Sequence, residues 1–146
     1  MAKCSKPRDM VLSGIRVLSL DQAMAGAFCT ALLGDMGAEV IKVEPPLLGD
    51  PFRRTGGPNL KGESFHFLYT NRSKKSIELN LRAPSSLAAF KDLVRVSDVV
   101  LNNFRPGVMK RLGLDHRIVR HARRILFQSW LRRQCTGSYL PPFWVA

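Results

Sequence analysis

The sequence predicts an α/β fold: a Rossmann-like, doubly wound parallel sheet with helices on both faces. Three observations carry that prediction. Short aliphatic runs recur at 15–20, 38–44, 76–81 and 98–101, helical patterns stand between them, and glycine or proline marks the joints at 14, 37, 45, 84 and 106–107. Strands that alternate with helices argue for βαβ units, whose right-handed crossovers leave the strands parallel.

The elements follow in order. "IRVLSL" after Gly14 is the first strand. "AGAFCTALLGDMG" has good helix formers, with Phe28, Ala31, Leu32 and Met36 at near-helical spacing as the inward stripe and Gly37 as the stop. "AEVIKVE" is the second strand, and "PPLLGDPFRRTGGPNLKG" (45–62) is long for a crossover, which marks it as functional or mobile. "RSKKS" (72–76) reads as a solvated turn before the third strand, "SIELNL" (76–81). "APSSLAAFKDLVRVS" is a helix with Pro84 in its first turn and Leu87, Phe90, Leu93 and Val94 on one face. Arg82, Lys91 and Arg95 belong to the solvated surroundings of that helix, and "DVVL" is the fourth strand. There is no internal repeat or low-complexity tract.

Composition bounds the function. A chain of 146 residues suggests one domain with a real core. No apolar run approaches the roughly 18 residues of a membrane helix, and "MAKCSKPRDM" lacks the apolar centre of a secretory signal. A soluble protein of the cytoplasm is expected, or of mitochondria or peroxisomes in a eukaryote. Cys4, Cys29 and Cys135 are widely spaced and odd in number, so no disulfide framework is expected, and His116 and His121 lack the spacing of a zinc site. The formal net charge of +12 is uneven: residues 1–114 carry 17 Lys and Arg against 10 acids, while 115–146 carry six Arg against Asp115 alone. Such a balance suits nucleic acid, membrane headgroups or a polyanionic small ligand. Stacking residues are not interleaved with the basic ones, which argues against a single-strand platform.

The fold predicts where a ligand goes. Open α/β sheets bind ligands outside the carboxyl ends of their strands. Asp21 to Gly26, Glu44 with its prolines, and "NNFRPGVMKRLGL" (102–114) all stand at such ends. Pro106 and Gly107 are explained by turn chemistry, whereas Asn102, Asn103, Arg105, Lys110 and Arg111 are not. Amides and guanidinium forks there suit a polyphosphate. A nicotinamide dinucleotide fits poorly: Glu44 lies 18 residues after Gly26, but "LDQAMAGAF" has one glycine where the fingerprint needs three.

Three ordered blocks, "LSGIRVLSLDQAMAGAFCTALLGDMGAEVIKVEPPLLGDPFRR", "NRSKKSIELNL" and "SDVVLNNFRPGVMKRLGLD", resemble the N-terminal part of the class III CoA-transferases, from about Leu12 to Asp115. Formyl-CoA and carnitine CoA-transferases belong to that family, and α-methylacyl-CoA racemases are relatives. The resemblance implies that coenzyme A lies across the carboxyl ends of the sheet. Matching positions are Met24 and Ala25 in the first turn, Leu79, Asn80, Leu81 and Arg82 along the third strand, Asn103, Phe104 and Arg105 after the fourth, and Arg111 in the next helix. Arg105 and Arg111 would meet phosphates, Phe104 the adenine, and the backbone of 79–81 its edge; the basic 72–76 turn would lie close to the nucleotide. Coenzyme A or its thioester is then a substrate rather than a tightly bound cofactor. An acyl-CoA and a small carboxylic acid are the implied partners, together with an interlocked homodimer; membrane and nucleic acid are not.

Departures from the family are equally specific. Pro45 stands where some members have arginine, and Ala25-Gly26-Ala27 replaces the commoner AGP. The chain divides into an extension at 1–11, a CoA-binding region at 12–115 and a divergent Arg-rich tail at 116–146. The tail keeps Ser129, Thr136, Gly137 and Tyr139 of a glycine-rich family loop, and its change of character is what a shifted frame or alternative terminal exon produces. The resemblance implies an incomplete fold and an aspartate nucleophile beyond that loop, yet no aspartate follows Asp115. No catalytic residue is therefore assigned, and no turnover is expected of the chain by itself. A racemase-like fragment and a non-catalytic basic protein binding CoA or nucleic acid are the alternatives.

Overall fold

Alternating side chains along two central strands set the layers. β1 (Arg16–Leu20) and β2 (Glu39–Glu44) pair in parallel with Val17 opposite Val40 and Leu18 opposite Ile41. Since successive residues of a strand face opposite sides, both faces of this pair are apolar just past the opening Arg16–Glu39 ion pair, as a doubly covered sheet requires. In a computed structural model that describes residues 10–105, 107–114 and, as backbone, 126–128, the sheet has five strands. β5 (Lys74–Glu78), β6 (Val99–Asn102) and β7 (Leu126–Gln128) complete the order β5-β2-β1-β6-β7, all parallel. The fold is α/β, as expected.

One face carries the larger core. Leu18, Leu20, Val43 and Val100 from the strands pack with Phe90 and Val94 of α3 (Pro84–Arg95) and with Met109 and Leu114. Leu87 and Leu93 join from the same helix, so the predicted stripe of α3 is correct in every member. The face exists because the four residues recur at 3.6-residue spacing, and Pro84 at the helix start costs no hydrogen bond. Arg95 pairs with Asp92 in solvent, the exposed role expected of it.

The other face is covered by α1 (Ala25–Asp35) and differs from expectation. Of the predicted stripe only Ala31 is fully buried; α1 buries Gly26, Ala27, Thr30 and Ala31, while Leu32 and Met36 are exposed. Small residues let the helix axis approach the sheet closely, and that close fit outweighs the burial of larger side chains. Gly37 takes the left-handed conformation (φ 100°) and ends the helix, as expected.

The long connection carries short elements of its own, and two further expectations are corrected. The 45–62 segment holds a 3₁₀ turn, Pro51–Arg54, capped by Asp50, and β3 (Asn59–Leu60), which pairs antiparallel with β4 (Glu63–Ser64) before the short α2 (Phe65–Thr70). Buried Asp50 anchors it. The 72–76 stretch is a solvated turn only in part: Arg72 and Ser73 form an exposed turn, but Lys74 to Ser76 begin β5, and the Lys74 side chain is 2% exposed although Lys75 and Ser76 face solvent. β5 ends at Glu78, so residues 79–82 follow the third sheet strand rather than lie along it. Only one further bond, Leu79 N donating to Glu44 O at 2.9 Å, prolongs the pairing. The tail prediction for 116–146, with Cys135, His116 and His121, lies outside the described residues apart from the β7 backbone, as does Cys4.

Candidate functional site

The strand order reverses between β1 and β6, and this is the crevice where a doubly wound sheet takes ligands. β1 and β6 are parallel and adjacent with Leu20 opposite Asn102, so their outgoing turns emerge side by side. Asn103 joins them. Its Oδ1 accepts from Gln22 N at 2.9 Å and its Nδ2 donates to Gln22 O at 2.6 Å. The fit is tight, because a Cβ on Gly26 would lie 2.7 Å from Asp21 Cβ and 3.1 Å from Asn103 Cγ. Glycine is required at 26 for this close approach.

Five of the ten predicted residues therefore gather at this seam. Met24 and Ala25 open α1, and both are exposed. Asn103 is half-buried by its contacts, Phe104 is half-buried against the larger core, and Arg105 is exposed. α4 (Val108–Arg111) follows Gly107, whose φ of 85° makes the turn, and ends on exposed Arg111. Among the described residues, Arg105, Lys110 and Arg111 form no ion pair.

The remaining group stands at the same rim, two strands from β1. At about 4.8 Å per strand that separation is roughly 10 Å. Leu79 and Leu81 pack against the core, which leaves their backbone for other roles. Asn80 shapes the turn by accepting from Arg82 N at 3.2 Å through its side chain and from Ala83 N at 2.8 Å through its carbonyl. Arg82 is exposed.

Beneath these turns lies a group of charged residues that the sequence reading did not identify as a unit. Lys42, 1% exposed, holds Asp21 at the end of β1 and Asp50 in the connection after β2, the latter at 2.6 Å. Asp21 also accepts from Ser19, from Thr30 at 2.7 Å, and from Lys74 at 3.5 Å. Lys74 donates as well to Ala27 O at 2.8 Å and to Asn71 at 2.9 Å. Burial would raise the Asp21 carboxyl, but Lys42 and Lys74 hold it below its ordinary value. Burial pushes the Lys74 ammonium down to about 8 despite Asp21 beside it. A signal did exist: polar Ser19, Lys42 and Ser76 interrupt strands that a doubly covered sheet keeps apolar.

Next to it, Glu44 is fully engaged. Arg53 grips it from two nitrogens at 2.8 Å each, Asp50 N donates at 2.8 Å and Ser76 at 2.7 Å. Burial opposes its ionisation, yet those bonds bring the carboxyl down to about 2 and raise Arg53 in return. Arg53 also bonds Glu63 at 2.8 Å and lies 3.9 Å over the Phe67 ring. Such a carboxylate has no capacity left to hold a ribose, which disposes of the dinucleotide reading on geometric grounds. A cavity of about 330 Å³ opens beside it, lined by Leu47, Leu48, Arg54 and Glu78 among others.

Among the described residues no helix is long and apolar enough to cross a membrane. No group of three His, Cys, Asp or Glu residues there is placed to hold a metal.

Known proteins resemble this chain in sequence and in fold. The chain is 45% identical over 103 residues to the succinyl-CoA–L-malate CoA-transferase beta subunit of Chloroflexus aurantiacus, covering 70% of this chain and 25% of that protein. It is 45% identical over 105 residues to the succinyl-CoA:glutarate CoA-transferase of Mus musculus, covering 72% and 24%. The crystal structure of a CaiB/BaiF family protein from Brucella suis superposes with a TM-score of 0.74 at 32% identity, over 83% of this chain and 33% of that one. The chain thus spans about a quarter of the length of the curated relatives it matches. Residues 12–127 match the model of CoA-transferase family III, and the chain belongs to that family.

Proposed function

We propose that this chain supplies the coenzyme A-binding face of a class III acyl-CoA:carboxylate CoA-transferase. The observation that carries the reading is the seam in which Asn103 holds Gln22 by both backbone groups. It sets the turn after β6, with exposed Arg105 and then Arg111 at the end of α4, beside the open start of α1. Coenzyme A carries a 3′-phosphate and a pyrophosphate, and arginine forks near unbonded helix N–H groups suit both. Met24, Ala25 and Phe104 line the path, while the backbone of Leu79 to Leu81 and the Arg82 side chain receive the far end of the nucleotide.

In the proposed reaction an enzyme carboxylate attacks the thioester carbonyl to form a mixed anhydride, and CoA leaves as the thiolate. The thiolate then attacks the enzyme's own acyl carbon, which releases the donor acid and leaves an enzyme–CoA thioester. The acceptor carboxylate attacks that thioester, and the thiolate it frees attacks the acceptor's carbonyl carbon in the new anhydride, giving the acceptor's CoA thioester and the free enzyme carboxylate. Succinyl-CoA as donor and a dicarboxylate as acceptor are favoured, because two relatives bear succinyl-CoA with malate or glutarate in their names. Residues 10–114 contribute binding and not the nucleophile: Asp21 and Asp50 are buried in ion pairs, and Asp35, Asp92 and Asp98 lie away from the seam. A second copy of the chain is the partner that suits exposed Leu32 on α1, Met36 just past its end, and Phe65 and Tyr69 on α2.

Calorimetric titration of the purified chain with CoA, 3′-dephospho-CoA and a single-stranded oligonucleotide, each across a salt series, tests the reading. CoA binding that weakens when the 3′-phosphate is absent is expected. Binding of the oligonucleotide only, with a steep salt slope, overturns it.

A further inference from the structure

We infer that Lys42 and Asp50 are positioning residues for coenzyme A: their buried ion pair ties the first outgoing turn to the connection after β2 and fixes the backbone at Gln22–Ala25. The inference rests on the CoA-binding reading above.

Lys42 stands in the second strand of the sheet with only 1% of its side chain exposed, and Asp50 likewise. A buried ion pair is weak evidence for stability, since apolar residues of similar volume commonly replace one without loss. Its placement is therefore the informative feature. The two carboxylates that Lys42 holds come from different segments, Asp21 at the end of β1 and Asp50 eight residues further along the chain than Lys42 itself. Asp50 then reaches both ways: its Oδ1 accepts from Phe52 N at 2.9 Å and makes a long contact of 3.5 Å with Ala23 N.

That turn needs holding. Ala23 has φ 61°, a left-handed conformation that residues with a Cβ rarely adopt. Its neighbour Gln22 has both backbone groups taken by Asn103. The turn is thus gripped from the β6 side by a neutral amide and from the β2 side by an ion pair. Neither Lys42 nor Asp50 has surface with which to touch a ligand, so any effect on CoA must pass through the turn.

The test compares the full chain with Asp50→Asn and with the charge-balanced double variant Lys42→Met/Asp50→Asn. CoA affinity is read by calorimetry, folding by thermal denaturation, and the turn by the backbone amide resonances of Gln22 to Ala25. Positioning predicts that both variants bind CoA about tenfold more weakly, with displaced turn resonances and a near-normal melting temperature for the double variant. A folded double variant with CoA affinity within about twofold of the parent overturns the inference, since a merely structural pair moves melting and not affinity. If the double variant does not fold, Asp50→Asn measured on its folded fraction decides by the same criterion. A parent chain that binds no CoA refutes the functional reading itself, and this inference with it; a parent that binds beside an unaffected variant refutes only the positioning role.

Discussion

On the β2 side of the first turn, Lys42, Lys74, Asp21 and Asp50 are buried and paired, and Glu44 and Arg53 close a second pair beside them. On the β6 side, Arg105, Lys110 and Arg111 are exposed and form no ion pair with another described residue. Both flanks are rich in charge and meet at the same rim. A buried charge without a partner is costly, so the first group must be mutually neutralised and serves as architecture. Solvated cations bear no such cost and contribute little to stability, so they remain available to an anion that arrives later. On the CoA-binding proposal, the ligand meets the flank that the fold leaves unsatisfied, while the buried flank holds the turn beside it.

Breaking the buried flank should have the largest effect. Lys42→Met leaves Asp21 and Asp50 facing an apolar side chain and should cost about 3–5 kcal/mol of stability, measured by chemical denaturation. A loss below about 1 kcal/mol would show that Lys74 or water compensates. Acid titrates the neighbouring pair. Glu44 ionises at about 2 in the folded chain against an ordinary 4.5, so the folded state binds fewer protons than the unfolded one in between. The stability it provides is complete above about pH 4.5 and is lost as pH falls through 2, by up to about 3 kcal/mol. Denaturation midpoints across that window should fall for the parent and fall less for Glu44→Gln.

The seam between the flanks comes next. Gly26→Ala places a Cβ against Asp21 and Asn103 and should cost about 1–3 kcal/mol while separating the two turns. CoA affinity should drop with it; full affinity in the alanine variant would mean that the two turns bind independently. Changes on the open flank should be smallest in stability. Arg105→Ala and Arg111→Ala should each weaken CoA about tenfold, near 1.4 kcal/mol, and shift folding by no more than about 0.5 kcal/mol. If either instead destabilises the fold without touching affinity, the division between the flanks fails.

Legibility followed the same line. The strands at 16–20, 39–44 and 99–102 and the helix at 84–95 were readable because local pattern and tertiary role agree there. The turns after β1 and β6 were singled out because Asn103, Arg105 and Arg111 have no local task that explains them, and the structure brings those two turns side by side through Asn103 and Gln22. The stripe of α1 was misread because helix packing on a sheet rewards small residues at the contact, and Gly26, Ala27 and Ala31 carry no hydrophobic signal. Within 72–76 it was Lys74 that was misread, because lysine suggests solvent, whereas this one is buried and paired with Asp21, which lies 53 residues away in sequence.

The sequence by itself determined the alternation of strands and helices, which is written in residues within one turn or one strand of each other, and the family, which is written in the order of three such local blocks. Only the tertiary structure decided that Lys42 faces two carboxylates and that Asn103 grips Gln22 across 81 residues of chain. Such pairings are made by parallel strands whose order in the sheet differs from their order in the chain, and no local periodicity encodes that order.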